Sequence, residues 1–339
     1  MSVSWNLAGS AAAALATFLA YKYYRKIDEE EPFPLVGILP TSSKTLEKMQ
    51  KLPLFSSDIF ICSYPKSGTT WMQHIVHTLA TDGNSPLPHV SDACPFYDVD
   101  RTWSENTDEA VLAAPVIEKH AKIHRRIFNT HLRWDMMPKN NKDARYIYMV
   151  RRPTDACVSF FHHLIHQSED DGGFVGDFDS FVKEWTSGRS LFGSWSAHVK
   201  SWLGSDGYRL GASDARVLVL SYEELKADLL GGLRQVNAHC RFGLSDARLT
   251  ELCPRFTFDY MRAHEDQFEP RSVKWVEPQP ESLGSSEAKP EKEFHFVRAG
   301  RVGDGDAAFA STERRAALKA MVARSFPRGT PERVAKLMP

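Results

Sequence analysis

The chain has 339 residues, of which 42% are hydrophobic, 11% aromatic and 25% charged, a globular composition that excludes collagen-like, disordered and multi-span membrane chains. Its 42 Lys and Arg nearly balance 43 Asp and Glu, leaving a net charge of −1, so no global field draws it to nucleic acid or an anionic membrane, and any anion site has to be local. Five cysteines, odd in number and scattered, show neither disulfide-framework density nor paired metal-ligand spacing and fit a reducing compartment.

The first anomaly is Trp5 to Tyr21, an uncharged run followed at once by Lys22, Arg25 and Lys26. As a helix it spans roughly 25 Å, a little short of a hydrocarbon core of about 30 Å. Two readings stay open for residues 1–26: a hydrophobic helix that tethers the chain to a membrane, and one that stays soluble or packs on the protein. In both, the basic flank leaves the domain that follows on the cytoplasmic side. Residues 27–34 form an acidic, proline-broken linker, and 35–339 the main domain.

Three short β-rich runs follow, Ile59 to Tyr64, Tyr146 to Val150 and Val217 to Tyr222, each leading into a helix-compatible stretch; a weaker run is Ile127 to His131. That alternation predicts an α/β fold with a central parallel sheet flanked by helices, and functional loops at the C-terminal strand ends. Residues 172–176, 204–211 and 278–290 read as loops, the last long enough for a mobile flap. The chain has no internal repeat.

Directly after the first strand comes Tyr64-Pro65-Lys66-Ser67-Gly68-Thr69-Thr70-Trp71, running into a helical pattern. A strand, polar loop and helix in that order turn backbone N–H groups and the positive helix end toward one point, which suits a phosphate or sulfate oxygen. Ser67, Thr69 and Thr70 add hydroxyls, Lys66 adds a point charge, and Gly68 permits close backbone approach. A triphosphatase loop would carry its lysine after the second glycine, whereas Lys66 precedes Gly68, and no aliphatic run ending in an acidic pair stands out to hold magnesium.

This loop resembles the 5′-phosphosulfate loop of the cytosolic sulfotransferase family, whose co-substrate is 3′-phosphoadenosine 5′-phosphosulfate (PAPS) and whose fold is P-loop-like. The stretch from Arg151 to His162 is similar to the family's second signature, and the resemblance implies that Arg151 and Ser159 hold the donor's 3′-phosphate, with the Ser159 hydroxyl also a restraint on Lys66. Tyr222 matches the tyrosine on the adenine side, and Trp71 and Phe258 match the aromatics that sandwich the purine. The segment from Phe296 to Asp304 looks like the stretch that closes over the 3′-phosphate, with Arg298 and Gly300 retained, Ala299 in place of a lysine and Gly305 in place of a tryptophan. Asn129-Thr130-His131-Leu132 is similar to the K-T-H-L motif, which implies His131 as general base, Lys66 stabilising the leaving group, and Asn129 where the family has lysine. Taken singly, each aromatic would be assigned to the core and Arg151 to a surface salt bridge; their standing comes from the motifs.

The resemblance covers about residues 35–309 and implies sulfuryl transfer from PAPS to a hydroxyl or amine of a small, apolar acceptor, with no metal and no nucleic-acid partner. Phe96, Phe160 and Phe161, with the stretch around Trp275, are the candidate acceptor walls. Asp306 to Arg315 lacks the family's dimerisation motif, so the resemblance leaves open whether the chain forms the family's usual homodimer. Two other readings stay open: a nucleotide kinase or triphosphatase, and a non-catalytic module that binds adenosine 3′,5′-bisphosphate.

Overall fold

The computed structural model describes residues 42–87, 89–190, 192–204, 214–279, 282 and 294–339. The N-terminal hydrophobic segment, the acidic linker and most of the expected loops at 204–211 and 278–290 lie outside the described residues. Among the described residues no helix is long and apolar enough to cross a membrane.

Four parallel strands form the centre: β1 (Ile59–Ser63), β2 (Ile127–Thr130), β3 (Arg145–Val150) and β4 (Val217–Ser221), in the order β2-β1-β3-β4. The weaker run is thus a strand in its own right, and it ends one residue before His131. Strand β1 pairs with β2 on one side, Ile59 opposite Ile127, and with β3 on the other, Ile59 opposite Arg145. The chain leaves β1 toward β2 and then crosses back to β3, which opens a crevice at the C-terminal ends of the strands.

The strands read as continuous apolar runs because both faces are covered, as a parallel sheet requires. Side chains alternate along each strand. Phe60, Phe128, Tyr146 and Tyr148 point to one layer, where Phe60 stacks on Phe128 at 5.1 Å and on Tyr146 at 5.3 Å, and Tyr148 stacks on Trp202 at 4.9 Å. Such ring pairs are worth about 0.5–1.5 kcal/mol beyond their buried area. Ile59, Ile61, Ile147 and Met149 point to the opposite, aliphatic layer.

Helix α1 (Ser43–Lys51) contributes Leu46 and Met49 to the aromatic layer. Helix α2 (Thr69–Ala80) covers the aliphatic side with Met72, Ile75, Val76 and Leu79. Helix α3 (Pro153–Ile165) starts with proline at its first position, where no amide is needed, and buries Ala156, Cys157, Phe160 and Phe161 in the aromatic layer. Helix α4 (Phe178–Ser187), α5 (Trp195–Leu203) and α6 (Thr312–Ser325) complete that side. Each strand end is followed at once by a residue singled out above: the loop from Tyr64 after β1, His131 after β2, Arg151 after β3 and Tyr222 after β4.

Candidate active site

The loop between β1 and α2 is built to present backbone amides. Lys66 (φ 64°) and Gly68 (φ 95°) both adopt the left-handed region, which curls successive N–H groups inward. Glycine is required at 68: a Cβ there would stand 2.9 Å from Cδ2 of Tyr222 on a backbone that side chains avoid. A lysine in that region is strained, a feature that concentrates at functional sites. Helix α2 opens on Gly68 without a side-chain cap, so its first amides keep their capacity for an anion. Thr69 is fixed by Ser63, Oγ to Oγ1 at 2.5 Å. Ser67 is fully buried, does not line the cavity, and its Oγ has no hydrogen-bond partner among the described residues.

Arg151 stands beside this loop. Its Nη1 donates to the Lys66 carbonyl at 2.9 Å and its Nη2 to the Arg301 carbonyl at 3.4 Å, its guanidinium lies 4.4 Å from the centre of the Tyr222 ring, and its Nε is buried without a hydrogen-bond partner among the described residues. Among the described residues no carboxylate pairs with it. A buried guanidinium left unpaired is costly unless an anion completes it. That orphaned donor and the loop amides fit a ligand with phosphate at two positions. Ser159 lines the same cavity.

The residues expected on the purine side line the same cavity. Trp71 donates Nε1–H to the Phe256 carbonyl at 2.8 Å, and its ring meets that of Tyr222 edge-on at 5.4 Å. Phe258 begins the short helix Phe258–Ala263, capped by Thr257. Gly300 (φ 58°) lies against it so closely that a Cβ would come within 2.3 Å of the ring. Arg298 lines the cavity and is ion-paired with Asp304.

The C-terminal segment is held by a contact the sequence did not announce: the buried Asp155 carboxylate accepts from the amides of Gly303 and Gly305 at 2.9 and 2.8 Å. Arg152 bridges to Asp306 at 2.7 Å. A Cβ at Gly305 would stand 2.4 Å from the Thr154 carbonyl carbon and oxygen, so the tryptophan of the related pattern has no room on this backbone path. Gly305→Ala is therefore expected to destabilise the fold by about 1–3 kcal/mol. Chemical denaturation reads this, and an unchanged midpoint would contradict the packing.

His131 is fixed from three sides. Its Nδ1–H donates to the Ser63 carbonyl at 2.8 Å, its backbone amide donates to Asp98 at 2.9 Å, and its carbonyl accepts from His198 Nε2 at 3.0 Å. His198 in turn accepts from the Tyr148 hydroxyl at 3.0 Å, which sets its tautomer. Because a carbonyl can only accept, Nδ1 carries the proton and Nε2 keeps its lone pair. Burial, with a smaller push from Lys66, lowers the His131 pKa to about 4, so the ring is neutral at pH 7. Burial also brings Lys66 down to about 7, with Arg151 and Arg298 adding repulsion.

Lys66, Gly68 to Trp71, His131, Arg151, Tyr222, Phe258 and Arg298 face one cavity of about 1260 Å³, whereas Ser67 does not. Phe96 and Phe192 flank the His131 ring edge-on at 5.3 and 5.2 Å, and Phe160 lines the wall. Phe161 does not line it: one position on, the helix turns that ring about 100° away, into the core against Phe178 at 5.1 Å and Phe181 at 5.4 Å. Asn129 is structural as well as cavity-lining, since its Nδ2 donates to the Cys94 carbonyl at 2.6 Å and holds the segment carrying Phe96. The expected Ser159–Lys66 contact is absent among the described residues; Nζ meets His163 instead, at 3.4 Å. Phe192, Asp98 and His163 escaped the sequence reading. Among the described residues no group of three or more His, Cys, Asp or Glu is placed to hold a metal ion.

The family model described as "Sulfotransferase domain" matches residues 56–317. Luciferin sulfotransferase of Photinus pyralis is 29% identical over 232 residues, 64% of this chain and 60% of that protein. Sulfotransferase 2B1 of Homo sapiens is 30% identical over 237 residues, 69% of this chain and 59% of that protein. The chain thus spans 60% and 59% of the length of these two relatives. Among solved structures, mouse sulfotransferase SULT7A1 complexed with PAP superposes with a TM-score of 0.61 at 21% identity, covering 91% of this chain and 96% of that one, a likeness of fold.

Proposed function

The chain belongs to the sulfotransferase family, and on that premise we propose that it transfers the sulfuryl group of PAPS to a hydroxyl or amine of a small, apolar acceptor. One observation carries the reading: a buried guanidinium with no carboxylate partner among the described residues, a strained loop of inward amides and a neutral imidazole with a free lone pair meet in one cavity. The loop amides from Gly68 to Thr70 and Lys66 are the holders of the donor's 5′ end, Arg151 and Ser159 of its 3′-phosphate, and Trp71, Tyr222 and Phe258 of its purine, with Arg298 and Gly300 closing the site. When bound, the donor supplies an activated sulfuryl group.

The chain's own part is to orient, to move one proton and to answer charge. Nε2 of His131 takes the acceptor's proton, its ring held in register by the Ser63 carbonyl. Lys66 and the loop amides meet the charge that grows on the leaving oxygen. Phe96, Phe160 and Phe192 give this end apolar walls and exclude water, which suits a small hydroxylated apolar molecule. One relative is named for a small-molecule acceptor, luciferin. Five free cysteines, four of them buried, are in keeping with work in the cytosol.

The pH dependence follows from two groups. Protonating His131 removes the base, so kcat/KM is expected to fall as pH drops through about 4, well below the ordinary imidazole range. Deprotonating Lys66 removes its charge, so kcat/KM is expected to fall as pH rises through about 7 in the free protein. Bound anionic donor favours the ammonium, so kcat extends further into alkali than kcat/KM. A pH–rate profile checks both limbs; an acid limb near 6.5 would contradict the buried base.

The direct test is incubation with radiolabelled PAPS and a panel of phenols, sterols, amines and glycans. Label on a small apolar acceptor is the expected result. Tight binding of adenosine 3′,5′-bisphosphate with no transfer would identify a binding module instead, and ATP hydrolysis without sulfate transfer a phosphoryl enzyme.

A further inference from the structure

Lys66 brings a buried amine into the site, and its surroundings are unusual. Nζ lies 3.4 Å from Nδ1 of His163 and 4.5 Å from the centre of the Phe296 ring. Among the described residues no carboxylate reaches it, and the charges that act on it, Arg151 and Arg298, repel it. His163 sits four residues after Ser159 on α3, on the same helix face, so both line the cavity. Its ring is clasped by Trp275 at 5.2 Å and Phe296 at 6.0 Å. Trp275 is pinned in turn: Ser168 donates to the Lys274 carbonyl at 2.9 Å and Val276 to the His166 carbonyl at 2.8 Å. The imidazole therefore has a fixed orientation with Nδ1 toward the ammonium.

Below about pH 7 Lys66 is an ammonium, with three donors and no lone pair, so Nδ1 of His163 accepts and the ring proton sits on Nε2. A neutral nitrogen holds an ammonium less strongly than a phosphate-side oxygen bearing charge. We propose that His163 is a positioning residue for Lys66, holding Nζ over the Phe296 ring through the Nδ1 lone pair and yielding it when negative charge grows on the oxygen that leaves the sulfuryl group. This rests on the transferase reading above. Burial and the proximity of Lys66, His166 and His131 keep His163 unprotonated, so the lone pair is available across the neutral range.

Two substitutions separate hydrogen bonding from packing. His163→Phe keeps an aromatic body against Trp275 and Phe296 but has no lone pair, whereas His163→Asn keeps an acceptor near the Nδ1 position and loses the ring. The expected order is a kcat lowered about tenfold in His163→Phe with KM for the donor little changed, and near wild-type kcat in His163→Asn. The reverse order, with His163→Phe active and His163→Asn impaired, would overturn the proposal. A second readout does not depend on turnover: histidine side-chain ¹H–¹⁵N spectra of the full chain without donor, recorded at a pH below about 7, where Lys66 is an ammonium. His163 is expected as the Nε2–H tautomer, with its Nδ1 resonance moving in Lys66→Met. A proton on Nδ1, or no response to Lys66→Met, would overturn it even if both His163 variants misfold. Failure of the wild-type protein to transfer label would overturn the transferase reading together with the catalytic half of the proposal, and the spectrum then decides the Lys66–His163 contact by itself.

Discussion

His131→Ala is expected to lower turnover by about 10²- to 10⁴-fold, the usual contribution of a positioned general base, while leaving affinity for adenosine 3′,5′-bisphosphate almost intact. The split follows from geometry. Nδ1 is committed to the Ser63 carbonyl and the ring is wedged between Phe96 and Phe192, so only Nε2 faces the acceptor end, away from the guanidinium and purine-side residues. Label transfer at saturating acceptor and calorimetric titration of the bisphosphate measure the two quantities separately. Wild-type transfer by the variant would remove His131 from the chemistry. Loss of nucleotide binding alongside turnover would make it a structural residue, one whose carbonyl anchors His198 and whose amide anchors Asp98.

Arg151→Ala is expected to act in the opposite sense. Its guanidinium is buried, lacks an acidic partner among the described residues and has an unsatisfied Nε, so a phosphate in reach gains a desolvated, charge-assisted contact. Truncating one side of such a pair costs roughly 2–5 kcal/mol, which is on the order of 30- to several-thousand-fold in affinity. The diagnostic quantity is the ratio of affinities for adenosine 3′,5′-bisphosphate and adenosine 5′-phosphate, which should collapse toward one. Because Nη1 also holds the Lys66 carbonyl, Arg151→Lys serves as the companion variant: it retains charge but not the planar fork, and is expected to fall between wild type and alanine. A ratio that survives both changes would mean the arginine does not read the 3′ position.

Those site residues that fell at strand ends were legible in the sequence for a physical reason. A buried parallel strand writes itself as a short apolar run, and whatever follows its last residue is delivered to one edge of the sheet. Lys66, Gly68, His131, Arg151 and Tyr222 all come from such junctions. Helix phase was harder. Ser159, Phe160, His163 and Leu164 share the cavity face of α3, but Phe161 lies off it, and adjacent phenylalanines carry no sign of which one turns inward. The spacing of four between Ser159 and His163 was the signal that could have found the latter. Asp155 was beyond reach because its partners, Gly303 and Gly305, lie 148 and 150 residues away in the chain. The departures at Asn129 and Gly305 read as losses in the sequence and prove to be packing choices, one side chain tied to the Cys94 carbonyl and one backbone pressed on Thr154.

The proposed function stands on a single pocket at the ends of β1 and β3 holding the nucleotide. A crystal of the protein soaked with adenosine 3′,5′-bisphosphate tests it most directly. The expected density places the 5′-phosphate against the amides from Gly68 to Thr70, the 3′-phosphate beside Arg151 and Ser159, and the purine between Trp71 and Phe258. A nucleotide bound elsewhere, or a loop from Pro65 that stays unliganded at saturating bisphosphate, would contradict the account.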